Sequence, residues 1–195
     1  MLSFPIGTVG YLLNAMRGIW HDRLEACTLD GQPLDNDPYG SVSGASPFEN
    51  LVYLDFDGEN YRQTNVTFRG RPLHIRSFTG VLKNGILHFD KLGPDDPGHI
   101  GVAAGHDTLM FIPAQITDAL KRYSEPDFIR LIGTIERTRT TVLYRDGIAV
   151  RTLDVRGVKL SPDPTRRLPV DPRGADGDVH ETRSVTKVFE GKNDL

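Results

Sequence analysis

Cysteine is almost missing. Of 195 residues only Cys27 carries a thiol, so no disulfide can form within the chain, and a reducing compartment suits it. Basic charge is not in surplus either. Lysine and arginine number 23 against 26 aspartates and glutamates, a formal charge of −3, which argues against a nucleic-acid binder. No apolar run approaches the ~18–20 residues that a membrane helix needs, so no membrane span is expected. Met1 to Trp20 lacks a basic start and a small-residue cleavage site, which predicts no targeting signal and a cytoplasmic location. There is no Gly-X-Ser-X-Gly elbow, and Cys27 has no adjacent histidine, so a nucleophile has no candidate. The six histidines, at 21, 74, 88, 99, 106 and 180, never stand four apart on a helix, and no metal site is expected. His99 and His106 flank a glycine-rich stretch that lacks a phosphate loop's Gly-Lys-Ser/Thr ending and reads as a flexible connection between strands.

Glycine and proline, in contrast, are plentiful: 20 and 13 respectively, which favours many tight turns over a helical bundle. At roughly 100–200 residues per domain, residues 1–195 form a single domain. Val9, Leu12, Leu13 and Met16 recur at helical spacing before Gly18, so a short amphipathic helix is expected from about Pro5 to Arg17, within an N-terminal segment 1–18. Beyond Gly18 the period changes to two. Asp57-Gly58, Asn84-Gly85 and Asp146-Gly147 sit between β-branched and aromatic runs, the signal for two-residue hairpins, with a weaker turn at Arg69-Gly70. Reading outward from these turns predicts strands near 19–29, 47–56, 59–68, 72–83, 86–91, 107–112, 129–145, 148–160 and 179–190. Pro113 to Tyr123 reads as a short helix late in the chain, and 161–178 as a long proline-rich loop. A meander this long leaves two sheet edges unless it closes. The expected fold is therefore all-β, a closed up-and-down antiparallel barrel, with a two-sheet sandwich as the competing arrangement.

Gly18-Ile19-Trp20 opens the first strand behind a short helix, and this resembles the Gly-X-Trp motif of lipocalins and the wider calycin group. With the meander, the late helix and a final strand returning to the first, the chain is similar to the bacterial lipocalin-like domains of uncharacterised function. The resemblance implies a closed barrel whose interior binds a small, largely apolar molecule. It also implies that Trp20 plugs the barrel floor beneath an arginine of the last strand, taken as Arg183. Two departures stand out: there is no signal peptide and there are no paired cysteines. The nearer comparison is thus an intracellular barrel of the fatty-acid-binding kind.

Paired residues of a hairpin share a face, so the interior can be traced across turns. One face carries Val52, Leu54, Phe56, Phe78, Leu82, Leu87 and Phe89, together with a polar cluster of Tyr61, Gln63, Asn65, His74 and Arg76. A mostly apolar wall with a few placed polar groups describes a ligand site, although such groups also satisfy one another in ligand-free barrels. In the last hairpin the same count pairs Arg139 with Asp154 and brings Arg137 near Arg156, a face read as solvated. Its other face, with Val142, Tyr144, Arg151, Leu153 and Val155, would place Tyr144 and Arg151 at the lumen if it turns inward.

Three functions remain open from these residues. The leading one is binding of a small hydrophobic or amphipathic ligand, a fatty-acid-like or aromatic acid, through Tyr61, Gln63, Asn65, His74, Arg76, Phe78, Tyr144 and Arg151. The second is an isomerase or cyclase in the same cavity, with His74 and Tyr61 as catalytic candidates, or haem held by His74. The third is an interaction module that uses the loop 161–178; a homodimer is compatible with each.

Overall fold

The computed structural model describes residues 3–39, 44–68, 74–94, 96–115 and 123–168. The first element is helix α1 (Val9–Met16), whose Thr8 side chain accepts a hydrogen bond from the Tyr11 N–H at 3.3 Å and so caps the first turn. Its buried face is Val9, Leu12, Leu13 and Met16, as the spacing predicts. Strands follow in chain order: β1 (Gly18–Cys27), the short β2 (Asn36–Asp37) and β3 (Gly44–Ala45), β4 (Phe48–Phe56), β5 (Asn60–Phe68), β6 (His74–Lys83) and β7 (Ile86–Phe89). Then come β8 (His99–Ala103), β9 (Thr108–Pro113), β10 (Tyr123–Ser124), β11 (Asp127–Ile132), β12 (Glu136–Arg145) and β13 (Ile148–Ser161).

Ten of these strands close into an antiparallel up-and-down barrel, in the order β1-β4-β5-β6-β7-β8-β9-β11-β12-β13 and back to β1. Closure leaves no free edge in the ring. It is made by β13, which pairs with β1 from Ser161 to Thr152; the strand expected at 179–190 lies outside the described residues, as does Arg183. Gly18 is required at that seam: its φ is +134°, and a Cβ there would meet the Ser161 carbonyl oxygen at 2.1 Å. Among the described residues no helix is long and apolar enough to cross a membrane.

Two of the expected turns form as drawn. Asn84 (φ +52°) and Gly85 (φ +79°) join β6 to β7, and Asp146 (φ +51°) and Gly147 (φ +79°) join β12 to β13. The third is displaced by one residue, with Gly58 and Glu59 at the tip. Asp57 caps this turn itself, accepting from Glu59 N, Asn60 N and Asn60 Nδ2, and these bonds hold its carboxyl down at about 2. The β4–β5 register differs from the expected one by two residues in consequence; the β5–β6 register differs by two as well, its expected turn at Arg69-Gly70 lying outside the described residues, and every side chain keeps its expected face.

Elsewhere the alternation misled. The single strand expected at 129–145 is two, split by a turn at Gly133 (φ +68°), which offers φ space that other residues avoid. The glycine-rich stretch after Pro97 is not merely a connection: β8 runs through it, with Gly101 where a Cβ would press on Leu87 and Phe111 at 3.1 Å. Pro113 and Tyr123, the ends expected for a late helix, are strand residues, and 116–122 lie outside the described residues. Of the loop 161–178, residues 162–168 are described. Leu168 packs on the barrel's outer face against Ile19, Leu51, Tyr53, Val66 and Phe68.

Helix α1 stoppers one end of the barrel. Its apolar face packs on Leu54, Phe56, Leu87, Leu109 and Ile129, inward residues of four strands. Trp20 is fully buried beside it and donates from Nε1 to the Met16 carbonyl at 2.7 Å. The arginine over Trp20 is Arg137 of β12, its guanidinium 4.4 Å from the ring centroid, with the Lys159 ammonium at 4.8 Å. Arg137 also forms a bidentate pair with Asp22 at 3.1 and 2.7 Å. Gly157 makes room for that pair, since a Cβ there would lie 2.3 Å from Asp22 Oδ1.

Candidate functional site

Away from α1 the barrel interior holds a cavity of about 440 Å³. Its apolar lining comes from Leu24, Phe48, Leu153, Phe78, Phe89 and Phe111. Phe89 and Phe111 meet edge to face at 4.9 Å, and each does the same with Tyr61 just beneath, at 5.5 and 6.1 Å.

On the β5–β6 wall the alternation sets Tyr61, Gln63, Asn65 and Thr67 inward. Their side chains form a ladder: the Tyr61 hydroxyl donates to Gln63 Oε1, and Gln63 Nε2 donates to Asn65 Oδ1 at 2.8 Å. Arg76 stands beside Asn65 in register, its guanidinium 5.6 Å from the Phe78 ring centroid. Gln63, Asn65, Arg76 and Phe78 thus share the cavity wall. Tyr61 lies below it, fully buried, and burial pushes its phenol pKa well above the ordinary tyrosine value. His74 is paired with Thr67 in the ladder, but its side chain is exposed and does not line the cavity. The two residues considered for acid–base work are not brought together.

The opposite wall, β11 to β13, corrects the count made from the last hairpin. Leu143 pairs with Arg151 but Tyr144 with Ala149, so β13 carries one extra residue, a bulge at Val150. Beyond the bulge parity inverts: Arg139 faces Val155 rather than Asp154, and Arg137 faces Gly157 rather than Arg156. Arg137, Arg139, Thr141 and Leu143 therefore point inward with Arg151, Leu153 and Val155. The arginine face read as solvated is buried, with the Arg137 and Arg139 side chains 5% and 13% exposed. Asp154 and Arg156 remain outside. Tyr144 alternates with Leu143, is half-buried and does not line the cavity.

This wall concentrates charge. Arg151, its side chain 2% exposed, donates from Nε to Asp37 at 3.0 Å and from Nη2 to Glu125 at 2.8 Å. The first bond fastens the segment holding β2 to the rim, where Arg145 also donates to the Tyr39 carbonyl at 2.7 Å. Arg139 lies 3.6 Å from the Asp127 carboxylate, which accepts from the Thr141 hydroxyl. Burial pushes the Asp127 carboxyl upward, only partly opposed by Arg139 and Thr141. Three buried polar atoms of lining residues have no hydrogen-bond partner among the described residues: Arg139 Nε, Arg151 Nη1 and Asn50 Oδ1. Alternation with Val52 and Leu54 already sets Asn50 inward; the signal for Arg139 is the bulge, and that for Asp127 is the turn at Gly133 that makes β11 a strand of its own.

No family model and no curated protein matches this chain. Solved structures do. A protein of unknown function from the DUF3598 family of Nostoc punctiforme superposes with a TM-score of 0.58 at 16% identity, over 82% of this chain and 54% of that one. This chain thus spans about half the length of that protein. The S-type phycobiliprotein lyase of Guillardia theta superposes with a TM-score of 0.52 at 12% identity, over 78% of this chain and 92% of that one. At such identities the likeness is one of fold: the barrel implied by Gly18-Ile19-Trp20 is shared with solved barrels.

Proposed function

We propose that the barrel interior binds a small amphipathic acid. Its apolar body would rest on Phe78, Phe89 and Phe111, and its carboxylate on the open edges of Arg139 and Arg151. The observation that carries this reading is the pair of guanidinium groups of residues lining one cavity, each with an N–H that has no partner among the described residues. A buried donor without a partner costs about 1–3 kcal/mol, and a ligand oxygen in that position would recover it. A guanidinium edge suits a carboxylate in particular, through charge-assisted bonds. The volume also falls within the range of small-molecule pockets. The fold shared with a phycobiliprotein lyase makes a bilin, with its propionate arms, one acid to test beside alkanoic and aromatic acids.

The test is calorimetric titration of dodecanoate, an aromatic acid and a bilin, with Arg139→Gln and Arg151→Lys as variants. The lysine keeps a positive charge for Asp37 and Glu125 but loses the fork. Loss of one charged hydrogen bond predicts an affinity at least about tenfold weaker in either variant. Equal affinity in both variants, or no binding of any acid to the wild-type protein, would remove this reading.

A further inference from the structure

The charges around the open guanidinium edges do not leave room for a further anion without a change of protonation. Within this group stand two cations, Arg139 and Arg151, and three carboxyls, Asp37, Glu125 and Asp127. A bound carboxylate would make a fourth anion among side chains that are mostly buried, where like charges do not readily all stay ionised.

The geometry singles out which carboxyl must yield. Asp37 is fully buried but well held, on Arg151 Nε at 3.0 Å and on the Tyr39 N–H at 3.0 Å. Glu125 is held by Arg151 at 2.8 Å; its side chain is 27% exposed against 20% for Asp127, so closeness of pairing rather than exposure separates the two. Asp127 is held least well: its cation is 3.6 Å away, and among the described residues its one side-chain hydrogen bond comes from the Thr141 hydroxyl. That hydroxyl can turn round and accept from a protonated carboxyl, so protonation leaves no donor stranded. β12 presents Arg139 and Thr141, β9 presents the apolar Phe111, and Glu125 precedes Asp127 in the chain. His99 of β8, itself 3.6 Å from Asp96, adds a weaker influence, and Tyr61 of β5 is neutral. The Asp22–Arg137 pair lies beneath, and Asp22 also acts on Arg139, more weakly than Asp127 does.

We infer that Asp127 is the proton-linked counter-ion of this site, so that an apolar-bodied acid seated on Arg139 and Arg151 enters together with a proton that Asp127 takes up. This rests on the ligand reading above and goes beyond it by assigning the site's selectivity between ionised and neutral ligands to one residue. Charge balances: ligand carboxylate and proton arrive together, and Arg139 exchanges one anionic neighbour for another. Affinity for an acid then falls as pH rises, while affinity for a neutral analogue does not.

The experiment is titration calorimetry of dodecanoate, with dodecanol as the neutral control, between about pH 6 and 9 in buffers of different ionisation heat. The wild-type protein is expected to take up protons, approaching one per ligand at the alkaline end, with affinity falling by up to about tenfold per pH unit. Asp127→Asn, a neutral isostere that still meets Thr141, is expected to bind dodecanoate without proton uptake and with a flat pH profile. At the alkaline end it binds more tightly than the wild type. Dodecanol is expected to ignore pH in both. Binding of dodecanoate to wild type with no proton uptake over the whole range would overturn the inference without needing any variant. So would an unchanged pH slope in Asp127→Asn. Failure of every acid to bind would instead overturn the ligand reading itself.

Discussion

The two ends of the barrel are built from the same strands and the same alternation, yet they do opposite things. At the α1 end, Leu12 and Leu13 sit fully buried on Leu54, Leu87 and Leu109, and side chains fill the interior. Farther along those same strands, Asn50, Gln63, Asp127 and Arg139 take the inward positions and a cavity of about 440 Å³ opens. Between them lies the Asp22–Arg137 pair, which separates the dry plug from the polar chamber. The contrast is one of packing: apolar side chains fill one end, while the other keeps buried polar atoms that have no partner among the described residues. Sites poised for binding commonly carry such a local cost.

The boundary should be the most sensitive place. Arg137→Met keeps the stem over Trp20 but leaves the Asp22 carboxylate buried without its cation, and breaking such a pair costs about 3–5 kcal/mol. A large fall in the denaturant midpoint is expected; little change would mean that water reaches Asp22. The plug comes next. Leu13→Ala leaves a cavity in the filled end and should cost about 3 kcal/mol, read by the same measurement. Its affinity for dodecanoate should remain that of the wild type, and a parallel loss of affinity would break the division between the two ends.

The smallest effect concerns Lys159. Burial, with Arg137 nearby, lowers its ammonium pKa to about 8. In the unfolded chain it titrates near its usual value of about 10.4, so between these values the unfolded state binds more protons, and stability from this group rises with pH. Its cost is fully present below about pH 8 and is relieved by about 10.4. Lys159→Met should therefore gain most relative to wild type near neutral pH, and the gap should narrow toward pH 10 in paired melting curves.

How much of this could be read from the sequence depends on the kind of error a strand tolerates. On β4 to β7 the turn at Asp57 moved by one residue and the registers by two, yet Tyr61, Gln63, Asn65, Arg76 and Phe78 kept their faces. A shift of two is invisible to parity. On β12 and β13 one extra residue was enough to exchange Tyr144 for Leu143 and to bring Arg137 and Arg139 inside. His74 shows a different limit. Its parity was right, but it stands at the open rim, and alternation says nothing about depth along the barrel axis.

Local sequence suffices for the helix at Val9–Met16, the hairpins at Asn84-Gly85 and Asp146-Gly147, and the alternation that makes a closed meander. These depend on local φ preferences and on side chains a few residues apart. Which arginines are buried, and which carboxylates meet them, follows instead from the assembled barrel. Arg137 finds Asp22 across 115 positions, and Arg151 finds Asp37 across 114. The physical reason is that a buried charge is tolerable only beside a partner, and ring closure, together with the bulge at Val150, selects that partner.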